Sequence, residues 1–141
     1  MSGTGKSSVL AELAGRGHPV IDADNDGYLV WSGDDWMLDL ASLRERLKQS
    51  GHTFLAATAE NQGELYPLFG AVVLLSAPRD VLVDRVLTRT TNDFGKGHGE
   101  LAKILRDLEE VEPLLRRSST HEIVTTMPIA EVADRLEGIA R

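Results

Sequence analysis

Apolar residues along this chain follow two spacings, one typical of helices and one typical of buried strands. Short apolar runs predict strands at residues 18–22, 53–57, 71–75 and 121–125. Helical spacing predicts helices between and after them. Because strands alternate with helices, the pattern predicts an α/β protein with a parallel, helix-covered sheet.

The helices are marked by their apolar faces and by proline and glycine at their ends. The first ends near Gly15, and a second contains Leu38 and Leu47 and is closed by Gly51 as its C-terminal cap. Three more helices are predicted: one opened by Pro78, one over 101–111 that Pro113 bends or interrupts, and one opened by Pro128. Residues 24–37 are polar and glycine-rich and predict a loop.

Composition narrows the class of protein. The chain has 141 residues, of which 42% are hydrophobic and 26% charged, and this suits one globular domain. Its net charge of −7 and its lack of a basic block argue against nucleic-acid binding. No apolar run approaches the ~20 residues of a membrane span. With no cysteine, the sequence predicts a cytoplasmic protein without disulfides. A monomer or a small homo-oligomer is expected.

Residues 2–8, SGTGKSS, match the end of the phosphate-binding pattern G-x-x-x-x-G-K-[ST]. In this pattern glycines let backbone N–H groups surround phosphate oxygens, and the following helix directs its positive end at the same anion. The lysine supplies charge to the β- and γ-phosphates, and the next hydroxyl is placed to bind Mg²⁺. The predicted nucleotide contacts are Gly3, Thr4, Gly5, Lys6, Ser7 and Ser8. The alternative is a glycine-rich turn that caps the first helix.

Other segments strengthen the interpretation when they are taken with this loop. They are VIDAD, FLAATAENQG, VVLLSAP, DRVLTRTTNDFGK and HEIVTTMP. Together they resemble the small P-loop kinases, the group that contains shikimate kinase, gluconate kinase and adenylate kinase. The chain looks most like the shikimate-kinase-like ATP-binding proteins of actinobacteria, and the resemblance covers nearly all of it.

The resemblance implies a three-layer α/β/α P-loop NTPase fold that lacks its usual first, central strand. It implies one domain over residues 1–141, with 24–51 as a variable acceptor-side region and 85–99 as a lid. ATP and Mg²⁺ are the implied cofactors.

Asp22 and Asp24 follow the second strand of the implied fold. By resemblance, Asp22 helps Ser7 to hold the Mg²⁺ hydration shell, and Asp24 is the base or acceptor-orienting carboxylate. The alternative is a solvated turn, since Asp and Asn favour turns. Thr126 and Pro128 lie where relatives contact adenine, largely through the backbone.

Arg85 and Arg89 are four residues apart, and therefore share one helix face that leads into a glycine-rich loop. Such a pair can clamp ATP phosphates when the loop closes, which predicts a catalytic role for both arginines. The alternative is a solvated helix face on which Asp80 and Asp84 are the partners.

Glu60, Asn61 and Gln62 follow the third strand and are predicted to contact the acceptor, with a polar turn as the alternative. They replace the acidic and glycine patterns of better-known relatives. No lysine or arginine lies between Gly17 and Leu43. This predicts a small hydroxylated acceptor that is less anionic than a nucleotide. Trp31 and Trp36 are interpreted as a wall of the acceptor pocket, as core residues or as a lid against the first helix.

The first glycine of the phosphate-binding pattern would precede Met1, as would the strand that delivers the loop. This predicts either a natural start upstream, with about eight more residues that end in glycine, or an impaired relative. The first is favoured because the rest of the chain shows no sign of degeneration. The predicted function is ATP-dependent phosphorylation of a small acceptor. The alternative is a nucleotide-binding protein or ATPase without a dedicated acceptor.

Overall fold

The computed structural model describes residues 4–49, 51–88, 97 and 99–140. Its helices are α1 (Lys6–Gly15), α2 (Leu40–Lys48), α3 (Arg79–Thr88), α4 (Glu100–Glu110), α5 (Glu112–Ser118) and α6 (Ile129–Ala140). Its strands are β1 (Val20–Asp22), β2 (Leu29–Trp31), β3 (Trp36–Leu38), β4 (Phe54–Ala56), β5 (Val73–Ser76) and β6 (His121–Val124). A 3₁₀ helix spans Gln62–Leu68.

Contacts sort the described residues into two compact units. The first unit contains the residues up to Lys6 and those from Ala71 onward, and the second unit is Ser7–Gly70. Each has one pair of parallel strands and its own buried side chains. The single domain over 1–141 stays a prediction.

The first unit is built on β5 and β6, which pair in parallel from Val73 opposite His121 to Ser76 opposite Val124. Helices α3, α4 and α5 connect the two strands, and α6 follows β6. Its buried apolar residues include Leu74, Leu82, Val86, Ile104, Ile123, Val132, Ala133 and Leu136. The break that Pro113 predicts is confirmed, because α4 ends at Glu110 and Pro113 lies in the first turn of α5.

The second unit is built on β1 and β4, which pair in parallel from Val20 opposite Phe54 to Asp22 opposite Ala56. Its core cluster consists of Ile21, Ala23, Leu38, Leu43 and Leu65. One strand, one hairpin, α2 and the 3₁₀ helix each contribute to this cluster, so it ties together segments that are distant in sequence.

The predicted loop over 24–37 is wrong in its second half, where β2 and β3 form an antiparallel hairpin. Its strands carry Val30, Trp31 and Trp36, residue types that favour strands, on either side of a short polar turn. Gly33 lies in this turn with φ +99°, a conformation that side chains rarely adopt. The sequence pattern predicts a loop here because the turn contains a glycine and two aspartates, which are typical of loops.

The predicted bounds of the second helix are also wrong. Leu38 lies in β3, and α2 begins only after Asp39, whose side chain accepts a hydrogen bond from the Ser42 backbone N–H at 3.2 Å. The helix ends at Lys48 with Gln49 as its cap, so Gly51 does not perform that role. Apolar spacing alone predicts Leu38 in the helix, but the side chain of Asp39 caps the helix, so Leu38 precedes its first turn.

The coarser prediction of an α/β protein with parallel strands is confirmed. The single sheet is not seen, since the described strands form three two-stranded sheets. Among the described residues, β4 pairs only with β1, and β5 pairs only with β6. None of the helices described is long and apolar enough to cross a bilayer.

An ion-pair network joins α5 to β6 in the first unit. Arg116 donates from Nε to Glu122 at 2.8 Å and from its terminal nitrogen to the largely buried Glu112 at 2.6 Å. Ser76 donates its hydroxyl to the other Glu122 oxygen at 2.7 Å. Hydrogen bonds from Arg116, and then from Ser76, hold the pKa of Glu122 below its usual value.

Replacing Glu122 with glutamine should therefore flatten the pH dependence of stability in the acid range. A carboxyl group whose pKa is lowered by folding stabilises the protein above its unfolded pKa, near 4.5, and that stabilisation is lost as the pH falls through the folded pKa. Urea unfolding from neutral to acid pH measures this. Glu110→Gln, at the exposed end of α4, is the control and should leave the slope of unfolding free energy against pH unchanged. Equal slopes in E122Q and the parent chain would contradict the assignment.

Candidate active site

Gly5, in the segment that matches the phosphate-binding pattern, has a left-handed backbone conformation. Gly5 has φ +93°, which strains any residue with a side chain. A Cβ atom at Gly5 would lie 3.7 Å from Ile129 of α6, an ordinary contact, so the backbone angle rather than space requires the glycine. Thr4 is buried, with 1% of its surface exposed. Gly3 lies outside the described residues.

The motif continues directly into the first turn of α1. Lys6 is the first helical residue and is half-buried, while Ser7 and Ser8 are exposed. The predicted apolar face of this helix is confirmed, because Val9, Leu10 and Leu13 are buried. The first N–H groups of a helix have no partner within it, and together with the helix dipole they favour an anion at this end.

Ser7 and Asp22 are 15 residues apart and lie in direct contact. The Ser7 hydroxyl donates a 2.7 Å hydrogen bond to Oδ2 of Asp22, the last residue of β1. Asn25 donates from its amide to the same carboxylate oxygen at 2.9 Å. The structure therefore brings together the two residues that the sequence predicts at the Mg²⁺ site.

This pair has a suitable chemistry for Mg²⁺. The ion prefers oxygen ligands, keeps several waters, and is commonly bound by one or two protein carboxylates together with substrate phosphates. One hydroxyl and one carboxylate match that pattern. No group of three or more metal-binding His, Asp or Glu side chains occurs in the part of the chain that the structure describes.

The turn after β1 is held by its own polar groups. The Asp22 backbone N–H donates to the Asp26 carboxylate at 2.8 Å, and the Asp26 N–H donates back to the Asp22 carbonyl at 2.8 Å. Asp24 is exposed within this turn. Sequence reasoning missed the roles of Asn25 and Asp26, although Asn and Asp commonly close turns through their side chains.

The polar residues that follow β4 divide into two kinds. Glu60 is exposed, whereas Asn61 and Gln62 are half-buried. Asn61 accepts from the Leu38 N–H and donates to the Leu38 carbonyl, both at 3.0 Å. Gln62 accepts from the Ala59 N–H at 3.0 Å and donates to the Tyr66 hydroxyl at 2.7 Å. Both amides thus hold the second unit together, and their contact with an acceptor stays a prediction.

Arg85 lies on α3 and is fixed against the end of β6. One guanidinium nitrogen donates to the Thr125 hydroxyl at 3.0 Å, and another donates to the Thr125 carbonyl. Thr125 is buried, and its hydroxyl also donates to the Ser76 carbonyl at 3.2 Å. The half-buried Arg85 is therefore placed by the fold and is not on a solvated helix face. Arg89 and most of the predicted lid, at 89–96 and 98, lie outside the described residues.

Thr126 and Pro128 are exposed between β6 and α6. They follow directly after Thr125, so the contact with Arg85 fixes the start of the segment that the family resemblance assigns to adenine.

Replacing Thr125 with valine should lower the free energy of unfolding by about 1–3 kcal/mol. The change removes a buried hydroxyl and leaves a charged donor of Arg85 without that acceptor. Urea unfolding followed by circular dichroism gives the value. Thr126→Val is the matched control, because the side chain of Thr126 is exposed. Its free energy of unfolding is expected to change by no more than about 0.5 kcal/mol. Equal losses in the two variants would show that the Arg85 contact contributes nothing specific.

Comparison with known proteins assigns no family to the chain. No protein-family model matches it, and no curated protein matches it. The resemblance to the P-loop kinases therefore rests on the motif residues of the sequence.

Proposed function

We propose that this chain is a small P-loop kinase that transfers the γ-phosphoryl group of Mg·ATP to a small hydroxylated acceptor. The observation that carries the proposal is the 2.7 Å hydrogen bond between Ser7 and Asp22. If the G-K-S tripeptide matched the pattern by chance, its serine would not be expected to contact the carboxylate of Asp22 at the end of β1.

The sheet pairing also supports the proposal. The first two predicted strands after the loop, at β1 and β4, pair in parallel, as do the last two, at β5 and β6. The described residues show no pairing between β4 and β5. Parallel pairing of strands that are joined through helices is what the proposed α/β fold requires.

The proposed roles follow from the chemistry of each group. Lys6, the backbone of Gly5 and the first turn of α1 neutralise and orient the phosphates, and Arg85 adds positive charge. Ser7 and Asp22 hold Mg²⁺, which when bound offsets phosphate charge. The segment at Thr126 and Pro128 contacts adenine.

Phosphoryl transfer requires mainly position and charge neutralisation. The acceptor hydroxyl oxygen forms a bond to the γ-phosphorus while the bond from that phosphorus to the β–γ bridging oxygen breaks. ADP leaves with the electron pair of the broken bond, and the hydroxyl proton passes to the carboxylate of Asp24. The exposed position of Asp24 leaves that carboxylate accessible to an acceptor.

An ADP-release assay with a panel of acceptors tests the proposal. Polyols, sugars and nucleosides are added singly to the protein with Mg·ATP, and the products are identified by mass spectrometry. We expect at least one neutral or cationic hydroxylated compound to raise ADP release and to gain one phosphoryl group. AMP and CMP should be poorer acceptors, because residues 18–43 contain no lysine or arginine to bind their phosphate.

The same assay separates the second candidate function. An ATPase without a dedicated acceptor would release ADP at a rate that no compound changes and would yield only inorganic phosphate. Faster turnover of AMP or CMP than of any polyol or sugar would contradict the inferred acceptor class.

A further inference from the structure

The hairpin of β2 and β3 carries two tryptophans that the core does not use. Trp31 and Trp36 are paired across the strands and are 57% and 54% exposed. Their rings lie edge to face, with centroids 5.6 Å apart. Exposure of this extent excludes the interpretation of these residues as core, although each carries one of the largest apolar surfaces available to a protein.

The tryptophans extend a face that is buried at its other end. Leu29 pairs with Leu38 two positions before the tryptophan pair, and residues two apart on a strand share a face. Leu38 is in the core of the second unit, and Leu29 packs against it. The apolar face of the hairpin therefore runs from the core into solvent and ends in an aromatic surface.

The turn beyond the tryptophans is acidic and is held by hydrogen bonds. Ser32 donates from its N–H and its hydroxyl to the Asp35 carbonyl, each at 3.0 Å, and the Asp35 carboxylate accepts from the Trp36 N–H at 2.8 Å. No hydrogen bond or ion pair joins Asp34 to another residue within the described ranges. The turn thus carries two carboxylates at positions that lie between the two tryptophans in the sequence.

The charge of the surrounding segment has one sign. Residues 19–43 contain aspartates at 22, 24, 26, 34, 35 and 39, and no lysine, arginine or histidine. Tryptophan faces attract cations, and nearby carboxylates strengthen that attraction. A cationic ligand is therefore complementary to this surface, and an anionic ligand is not.

We propose that the Trp31–Trp36 hairpin binds a protonated amine on a hydroxylated small molecule, such as an amino sugar or an amino alcohol. This inference rests on the proposed function in one respect only, since it identifies that molecule as the phosphoryl acceptor. Binding itself needs no nucleotide, so it can be measured separately from catalysis.

Intrinsic fluorescence reports on this site directly, because Trp31 and Trp36 are the only tryptophans of the chain. The protein is titrated without ATP with glucosamine, and with glucose, N-acetylglucosamine and gluconate as controls that lack the positive charge. We expect a saturable change with glucosamine at an affinity about fivefold or more above that for each control. Equal affinity for glucose, or no change with any of the sugars, would overturn the proposal.

Two substitutions test the residues without relying on removal of an aromatic ring. Asp34→Asn should weaken glucosamine binding about threefold or more, since it removes one charge from an exposed residue. Glu45→Gln on α2 is the control with the same change in charge, and it should leave the affinity unchanged. Trp36→Phe should retain binding while Trp36→Leu weakens it, with circular dichroism as the check of folding. Equal weakening by D34N and E45Q would show a general charge effect and contradict the site.

Two further outcomes bear on the assignment. Spermidine, which is cationic but has no hydroxyl, should bind more weakly than glucosamine, and tighter binding would contradict a hydroxylated ligand. A fluorescence change that follows protein concentration would instead assign the hairpin to contact between copies of the chain.

If glucosamine binds but is never phosphorylated, the amine site stands and the proposed function fails. If another acceptor is phosphorylated and glucosamine does not bind, the proposed function stands and the amine site fails.

Discussion

Replacing Lys6 with methionine is expected to lower the rate of ATP-dependent phosphoryl transfer by about a hundredfold to a thousandfold. The substitution keeps the length of the side chain and removes the charge that the proposed function directs at the β- and γ-phosphates. Loss of one preorganised charge or donor at a transferring group has an effect of this size. Lys6 lies at the start of α1, beside helix N–H groups that favour the same anion. Those groups carry only partial charge, and they do not replace the full charge of the ammonium group.

Lys48→Met is the control for Lys6→Met. Lys48 is exposed at the last turn of α2, and its loss changes the net charge by the same amount. Turnover should stay within about twofold of the parent chain, since the charge of an exposed side chain is screened by solvent. Equal rates in K6M and the parent chain would remove Lys6 from the site, provided that both proteins unfold at similar urea concentrations.

Breaking the Ser7–Asp22 pair should raise the Mg²⁺ concentration needed for half-maximal activity by about tenfold or more. Ser7→Ala removes the hydroxyl, and Asp22→Asn keeps the shape of the side chain but removes its charge. Because the two groups are in contact at 2.7 Å, their effects should not add. The double variant should therefore be little worse than the poorer single variant.

Asn25→Ala separates the metal role of Asp22 from its role in the turn. It removes the 2.9 Å hydrogen bond to the same carboxylate oxygen and leaves Ser7 and Asp22 unchanged. The stability of the second unit should fall, while the Mg²⁺ dependence should stay close to that of the parent. Strictly additive effects of S7A and D22N, or a shift in N25A as large as in D22N, would contradict a shared Mg²⁺ site.

Most elements could be predicted from the sequence, because their signals are local. The run at residues 71–75 identifies β5, and Pro113 separates α4 from α5. The hairpin of β2 and β3 was missed because its strands are three residues each and its turn is rich in Asp and Gly. Strand formation there depends on the burial of Leu38 in a core cluster whose other members are distant in sequence.

The candidate site was predicted unevenly for a similar reason. A motif spacing identifies Lys6 and Ser7, and the family resemblance suggests Asp22. The fixed position of Arg85 depends on Thr125, which is 40 residues away and carries no distinctive pattern. Asn61 was assigned to an acceptor by its place after a strand, but both ends of its amide are engaged with Leu38. The sequence indicates that a residue comes after a particular strand. Only the tertiary structure shows which groups its side chain contacts.

Calorimetric titration of the unmodified chain with ATP, in the presence and absence of Mg²⁺, tests the central claim most directly. The segment that matches the phosphate-binding pattern is proposed to bind one nucleotide with its metal, independently of any acceptor. The account predicts saturable binding of one ATP per chain that weakens markedly when Mg²⁺ is removed and that is also markedly weaker in K6M. Absence of ATP binding by the folded chain, or equal binding by the parent and K6M, would contradict it.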